Sequence, residues 1–181
     1  MQSLEELRSI LLDGGVIAYP TESCFGLGCD PRNESAVKRL LKIKQRSVDM
    51  GLILIGSNIT GLKSWITVTD RHREQIFSKT KRPTTYLIPV TEKAPYWITG
   101  KHNTLAFRFV STKIIATLTE ALNFPIVSTS ANYHGQEPLR KTEDVSLEMS
   151  SDLDYIIEGE CGSFSRPSTI VNILTGQEIR E

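Results

Sequence analysis

The chain has 181 residues, 39% of them apolar and 23% charged, and its 21 Lys and Arg balance 21 Asp and Glu to a formal charge of zero. That is the size and composition of one globular domain with a full hydrophobic core, and no window holds the roughly 18 consecutive apolar residues that a membrane span needs. A protein that grips nucleic acid by bulk charge carries a basic excess, so any basic site here is local and balanced by acid elsewhere.

Met1 to Glu6 lack the basic start and apolar core of a secretory signal, so a cytoplasmic chain is expected. Ser3 with Glu6 three residues on is a capping box. Leu4, Leu7 and Leu11 then recur at helical spacing until Gly14-Gly15 ends the helix. Val16 to Tyr19 is a buried strand bounded by glycine and proline. Thr21 to Asp30 reads as a loop containing Gly26 and Gly28, and Pro31 to Arg46 as a helix with Ala36, Val37, Leu40 and Leu41 inward and Ile43 at the margin. Leu52 to Ile55 is a second buried strand and Thr69 to Ser78 a helix. Thr84 to Val90 and Thr104 to Val110 are strands with no clear helix between them. Ser111 to Leu122 is an amphipathic helix, and Pro125 to Val127 a strand running into Ser128-Thr129-Ser130-Ala131-Asn132. A helix near Thr142 to Met149 and strands at Tyr155 to Ile157 and Ser168 to Leu174 follow. Thr175-Gly176-Gln177 is a turn that leaves a short tail with Arg180. Interleaved strands and helices argue for an α/β fold. The two strands without a helix between them argue for a mixed sheet. No repeat or linker divides residues 1–181, so one domain is expected.

The chemistry-bearing patterns are few. Cys24, Cys29 and Cys161 have neither the even count of a disulfide framework nor histidines at zinc spacing, since His72, His102 and His134 are scattered; no structural metal is expected. There is no G-x-x-x-x-G-K-[ST] phosphate loop, no G-x-G-x-x-G and no G-x-S-x-G. Three segments remain. Tyr19 to Gly28 combines hydroxyls with glycines after a strand, which suits a loop facing a ligand and equally a tight turn. Lys42-Ile43-Lys44-Gln45-Arg46 ends a helix, where cations complement the macrodipole by about 0.3–1 kcal/mol without any further role. Ser128 to Asn132 carries small hydroxyl and amide groups that bond a ligand or cap a turn.

Taken in order, these segments resemble the YrdC/TsaC family of threonylcarbamoyl-adenylate synthases over nearly the whole chain. The family's P-T-E-[ST] and following G-L-G stand here as Pro20-Thr21-Glu22-Ser23 and Gly26-Leu27-Gly28. K-x-R is Lys44-Gln45-Arg46, A-x-R is Ala106-Phe107-Arg108, and S-x-N is Ser130-Ala131-Asn132. The late S-T-[IV] is Ser168-Thr169-Ile170, and the closing tail is Ile179-Arg180. The chain departs from the pattern at Ser47, where proline is common, at Met50, at Thr80-Lys81-Arg82-Pro83, which lacks the usual glycine, and at Phe109-Val110.

The resemblance implies a twisted mixed β-sheet flanked by helices, with a concave basic cavity. It implies an enzyme that makes threonylcarbamoyl-AMP and pyrophosphate from L-threonine, bicarbonate or carbon dioxide, and ATP, for modification of tRNA beside the anticodon. Such a site must hold a carboxylate, a carbamate and a triphosphate together, so it needs cations and positioning more than covalent chemistry. On this reading Lys44, Arg46, Ser130 and Asn132 are catalytic, and Thr21, Arg108 and Ser168 hold threonine. Lys44, Arg46, Thr104, Ser128, Ser130 and Arg180 face the nucleotide, with Arg140 and Arg166 as weaker members of the same basic wall. Mg2+ accompanies ATP without a protein ligand set. The proteins that transfer the threonylcarbamoyl group to tRNA are expected functional partners, and weak RNA contact stays open. Two alternatives stand beside this reading: a module that binds double-stranded RNA by shape, and a carbamoyl-transfer domain of the hydrogenase-maturation type.

Overall fold

The computed structural model describes residues 3–78, 80–110, 112–164 and 168–180, with Arg180 described in its backbone alone. Helix α1 (Leu4–Leu12) opens on the expected box: Ser3 Oγ accepts the Glu6 N–H, and the Glu6 carboxylate accepts the Ser3 N–H at 2.7 Å. Leu7 and Leu11 are buried, but Leu4 stays exposed, so the inward stripe begins one turn into the helix. The chain turns at Gly14, with φ of 89°, and enters β1 (Ile17–Pro20).

The expected loop over 21–30 contains a strand instead. Strand β2 (Phe25–Gly28) folds back on β1 as an antiparallel hairpin, in register from Ile17 opposite Gly28 to Pro20 opposite Phe25. Glycine normally weakens a strand because it has nothing to pack. Here the Tyr19 ring lies across both glycines. A Cβ on Gly26 would sit 3.0 Å from that ring, and one on Gly28 would sit 2.8 Å from it and 2.5 Å from the Val127 carbonyl.

Helix α2 (Glu34–Ile43) is capped by Asn33, whose side chain accepts the Ala36 N–H at 3.1 Å, and it buries Ala36, Val37, Leu40 and Leu41 as its periodicity requires. It ends before Arg46. Strand β3 (Ile53–Gly56), helix α3 (Asp70–Phe77) and strand β4 (Thr84–Pro89) follow. A one-turn helix, α4 (Tyr96–Thr99), lies between β4 and β5 (Thr104–Phe109), where the sequence shows no clear helix. The remaining elements are α5 (Lys113–Leu122), β6 (Ile126–Ser130), α6 (Thr142–Met149), β7 (Tyr155–Ile156), β8 (Thr169–Asn172) and β9 (Glu178–Arg180). The expected tail is thus a strand, antiparallel to β8.

The strands form one mixed sheet in the order β7-β1-β2-β6-β3-β5-β4-β8-β9. Each face carries its own core. On one face α1 and α5 supply Leu7, Leu11, Ile115, Leu118 and Leu122, which pack with Ile17, Tyr19, Ile55 and Ile126 of the sheet. On the other face α2, α3 and α6 pack with Ala18, Leu27, Leu54 and Val127. Because side chains alternate along a strand, Ser128 and Ser130 share the face of Ile126. Arg108 lies opposite Ile55 and so shares that face too.

Candidate active site

A cavity of about 600 Å³ opens on this α1/α5 face. Gly26, Ile53, Arg108, Ser128 and Ser130 line it from four adjacent strands. Thr21, Ser23 and Cys24 at the β1–β2 turn, Arg46, Glu137, Pro138, Arg140 and Ser168 add to its walls.

The turn after α2 fixes Lys44 and Arg46. Gln45 adopts φ of 47°, in the left-handed region that favours glycine. The Gln45 N–H donates to Lys42 O and the Arg46 N–H to Leu41 O, both at 3.0 Å, a Schellman-type closure. The carbonyls of Leu40, Leu41 and Lys42 are therefore met by backbone donors. The Lys44 ammonium reaches away from them: it donates to Ser130 O at 2.8 Å, to Asn132 O at 2.6 Å and to Asn132 Oδ1. Helix capping does not account for this lysine, which instead ties the K-x-R segment to the S-x-N segment. Lys44 does not line the cavity but is buried behind its wall. Burial, and then the charge of Arg46, lower its pKa to about 8.

Ser130 and Asn132 form one unit, with Ser130 Oγ donating to Asn132 Oδ1 at 2.7 Å and Asn132 Nδ2 to Gln136 O at 2.6 Å. Arg46 Nη2 donates to Gly51 O at 3.0 Å, and burial pushes this guanidinium's pKa down. Thr21 Oγ1 donates to Cys24 O at 2.8 Å and accepts the Ser23 N–H at 3.3 Å, shaping the turn as well as lining the cavity. Ser168 Oγ shares a 2.8 Å hydrogen bond with Thr85 Oγ1. Arg140 lines the cavity and donates to the carbonyls of Gly162 and Phe164 at 2.9 and 3.2 Å.

Among the described residues, four buried side-chain polar atoms lack a hydrogen-bond partner: Glu22 Oε2, Arg46 Nε, Arg108 Nε and Thr112 Oγ1. Arg46 and Arg108 line the cavity, and Glu22 stands against Arg108 at 3.8 Å. Buried donors are rarely left open in a finished fold, so two open guanidinium donors in one basic cavity describe a place for an anion.

Thr21, Arg46, Arg108, Ser128, Ser130 and Ser168 are brought to one cavity, with Lys44 and Asn132 directly behind it. Thr104 is not brought there: it shares the face of Arg108 but lies four residues earlier on β5, about 13 Å along the strand. Arg166 and the Arg180 side chain lie outside the described residues. Sequence reasoning passed over Glu22, Ser23, Cys24, Thr85 and Glu137. Ser23 and Glu22 belong to a quoted motif, whereas no spacing signals Thr85 or Glu137.

Residues 9–181 match the family designated Sua5_yciO_yrdC and described as Telomere recombination. The chain belongs to the Sua5/YciO/YrdC family. It is 39% identical over 182 residues to the threonylcarbamoyl-AMP synthase of Xanthomonas oryzae pv. oryzae (strain PXO99A), covering 99% of this chain and 97% of that relative. It is 41% identical over 181 residues to the synthase of Xanthomonas campestris pv. campestris (strain B100), covering 98% and 97%. Among solved Sua5/YciO/YrdC structures, P. abyssi Sua5 complexed with L-threonine superposes with a TM-score of 0.85 at 26% identity. That likeness covers 97% of this chain but 52% of the other, so the chain spans about half the length of that Sua5.

Proposed function

We propose that the chain is a threonylcarbamoyl-AMP synthase acting on L-threonine, bicarbonate or carbon dioxide, and ATP. The observation that carries this reading is its end-to-end likeness to proteins of that name at 39–41% identity. The cavity supports it, with Arg46, Arg108 and Arg140 against a single lining carboxylate, Glu137, among the described residues.

The reaction forms two bonds. Threonine's amine joins carbon dioxide, losing a proton and leaving a carbamate. A carbamate oxygen then attacks the α-phosphorus of ATP, the bond to the β-phosphate oxygen breaks, and pyrophosphate leaves. The threonine carboxylate, the carbamate and the triphosphate are all anionic, so preorganised cations lower the barrier. Arg108 receives the threonine carboxylate through the fork geometry that guanidinium shares with carboxylates, and Thr21 and Ser168 take its hydroxyl side. Arg46 meets the phosphate and carbamate oxygens. Ser128 and Ser130 position the nucleotide and the carbamate. Lys44 holds Ser130 and Asn132 in place and adds its charge from behind the wall.

Mg2+ normally travels with ATP. Among the described residues no group of three or more His, Cys, Asp or Glu side chains gathers to hold a metal. An ion arriving with ATP would be held largely by phosphates and water. Among the described residues no helix is long and apolar enough to cross a membrane, in keeping with a cytoplasmic enzyme that hands its product to the tRNA-modifying transfer proteins. The test is direct: pyrophosphate release from ATP requires both threonine and bicarbonate. Equal release with ATP alone overturns the reading.

A further inference from the structure

The molecule contains two Arg–carboxylate pairs of opposite character. Arg32 grips Asp30 closely, with Nε at 2.9 and 3.1 Å from its two oxygens and Nη2 at 2.7 Å. Arg108 and Glu22 are both largely buried, at 11% and 15% exposed, yet their nearest approach is 3.8 Å. That distance is too long for a hydrogen bond, and Glu22 Oε2 and Arg108 Nε are both buried without a hydrogen-bond partner. A charge pair sequestered from water but not closed is unfavourable, so something else sets the gap.

The two backbones are anchored independently. Arg108 sits in β5 between β3 and β4, opposite Ile55 and Thr85. Glu22 is held in the β1–β2 turn by the segment that crosses it: Gly162 N–H donates to Thr21 O at 2.9 Å and Phe164 N–H to Glu22 O at 3.2 Å. A Cβ on Gly162 would fall 2.5 Å from Glu22 O, so only glycine permits this approach. Arg140 in turn grips the Gly162 and Phe164 carbonyls. Glu22 is thus fixed beside the guanidinium without lining the cavity itself.

We infer that Glu22 is a positioning residue for Arg108. Its carboxylate attracts the guanidinium and limits its rotation, while standing too far away to occupy its N–H donors. Those donors stay aimed into the cavity and open for an anionic ligand, which in the synthase reading, on which this inference rests, is the carboxylate of threonine. A close pair like Arg32–Asp30 would fix the guanidinium and occupy its donors together. An arginine with no carboxylate beside it would keep its donors and lose its aim.

Two measurements test this. The first needs no substrate: the Arg108 Nε–H signal, assigned by its loss in Arg108→Lys, is sharp in the wild-type protein in nitrogen-15 relaxation spectra. It becomes broadened or motionally averaged in Glu22→Gln, and recovers at least partly in Glu22→Asp. An Arg108 signal equally ordered in Glu22→Gln overturns the inference whatever the enzyme's activity. The second uses pyrophosphate release. Glu22→Gln raises KM for threonine about tenfold while KM for ATP, kcat and Tm stay within about twofold or a few degrees, and in an Arg108→Gln background it adds nothing. Losses that add in the double variant, or a lower KM for threonine, also overturn it. If the wild-type protein releases no threonine-dependent pyrophosphate but the Nε–H signal behaves as described, the synthase reading falls and the positioning role stands.

Discussion

Arg46 presents one buried N–H without a hydrogen-bond partner among the described residues and another that holds the Gly51 carbonyl. Arg46→Lys keeps a positive charge and removes the planar fork. Activity is expected to fall by about 2–4 kcal/mol in transition-state stabilisation, roughly 30- to 1,000-fold, with little change in Tm. Full activity in Arg46→Lys, measured as threonine-dependent pyrophosphate release, refutes bidentate use. Lys44 makes a different prediction because its pKa is lowered to about 8 by burial and by Arg46. Below pH 8 the folded and unfolded chains both hold this proton, so it contributes no slope. Between pH 8 and the ordinary lysine value near 10.5 the unfolded chain binds a proton that the folded chain has released, so stability climbs with pH. The wild-type protein should therefore gain Tm relative to Lys44→Met across that window and not below it; the reverse slope refutes the depressed pKa.

Among the elements, β2 shows best where sequence patterns stop. Its glycines read as loop because their partner in space, the Tyr19 ring, is invisible in a linear pattern. The structure predicts that Gly28→Ala lowers stability more than Gly26→Ala. The first forces a Cβ against a backbone carbonyl as well as a ring, and the second meets only side-chain atoms at 3.0 Å and beyond. Overpacking of the first kind costs about 1–3 kcal/mol, and thermal unfolding of the two variants checks the order. The longer helices were legible because they carry their own signals, such as the Ser3–Glu6 box and the buried stripe of α2, whereas the Asn33 cap, which starts α2 later than the expected Pro31, was passed over. The end of α2 was not legible either, since the left-handed turn falls on Gln45 rather than on a glycine. Strand β9 was missed because three residues with Arg and Glu form a strand only when β8 is already beside them. Within the site, the quoted motifs contain Arg46, Arg108 and Ser130, which line the cavity, whereas Thr104, expected to face the nucleotide, does not line it. Strand alternation fixes which face a residue shares but not its height along the strand. The Glu22–Arg108 gap depends on where two backbones are anchored, and no local pattern encodes that.

At the scale of the whole molecule, one sheet separates two cores, and the cavity sits on the α1/α5 side where four strands with Gly26, Ser128, Ser130, Ile53 and Arg108 meet. The parts of the cavity come from distant stretches of chain: the β1–β2 turn, the end of α2, β5, β6, Arg140 and finally Ser168 at the entrance to β8. That strand joins the sheet between β4 and β9. The order matters on the ribosome. Translation delivers the hairpin, the K-x-R turn and the S-x-N segment well before Ser168, so a growing chain can assemble much of the sheet while one wall of its pocket is still unsynthesised. A nascent, half-made copy therefore lacks the Ser168 wall of this cavity until β8 has emerged and paired with β4.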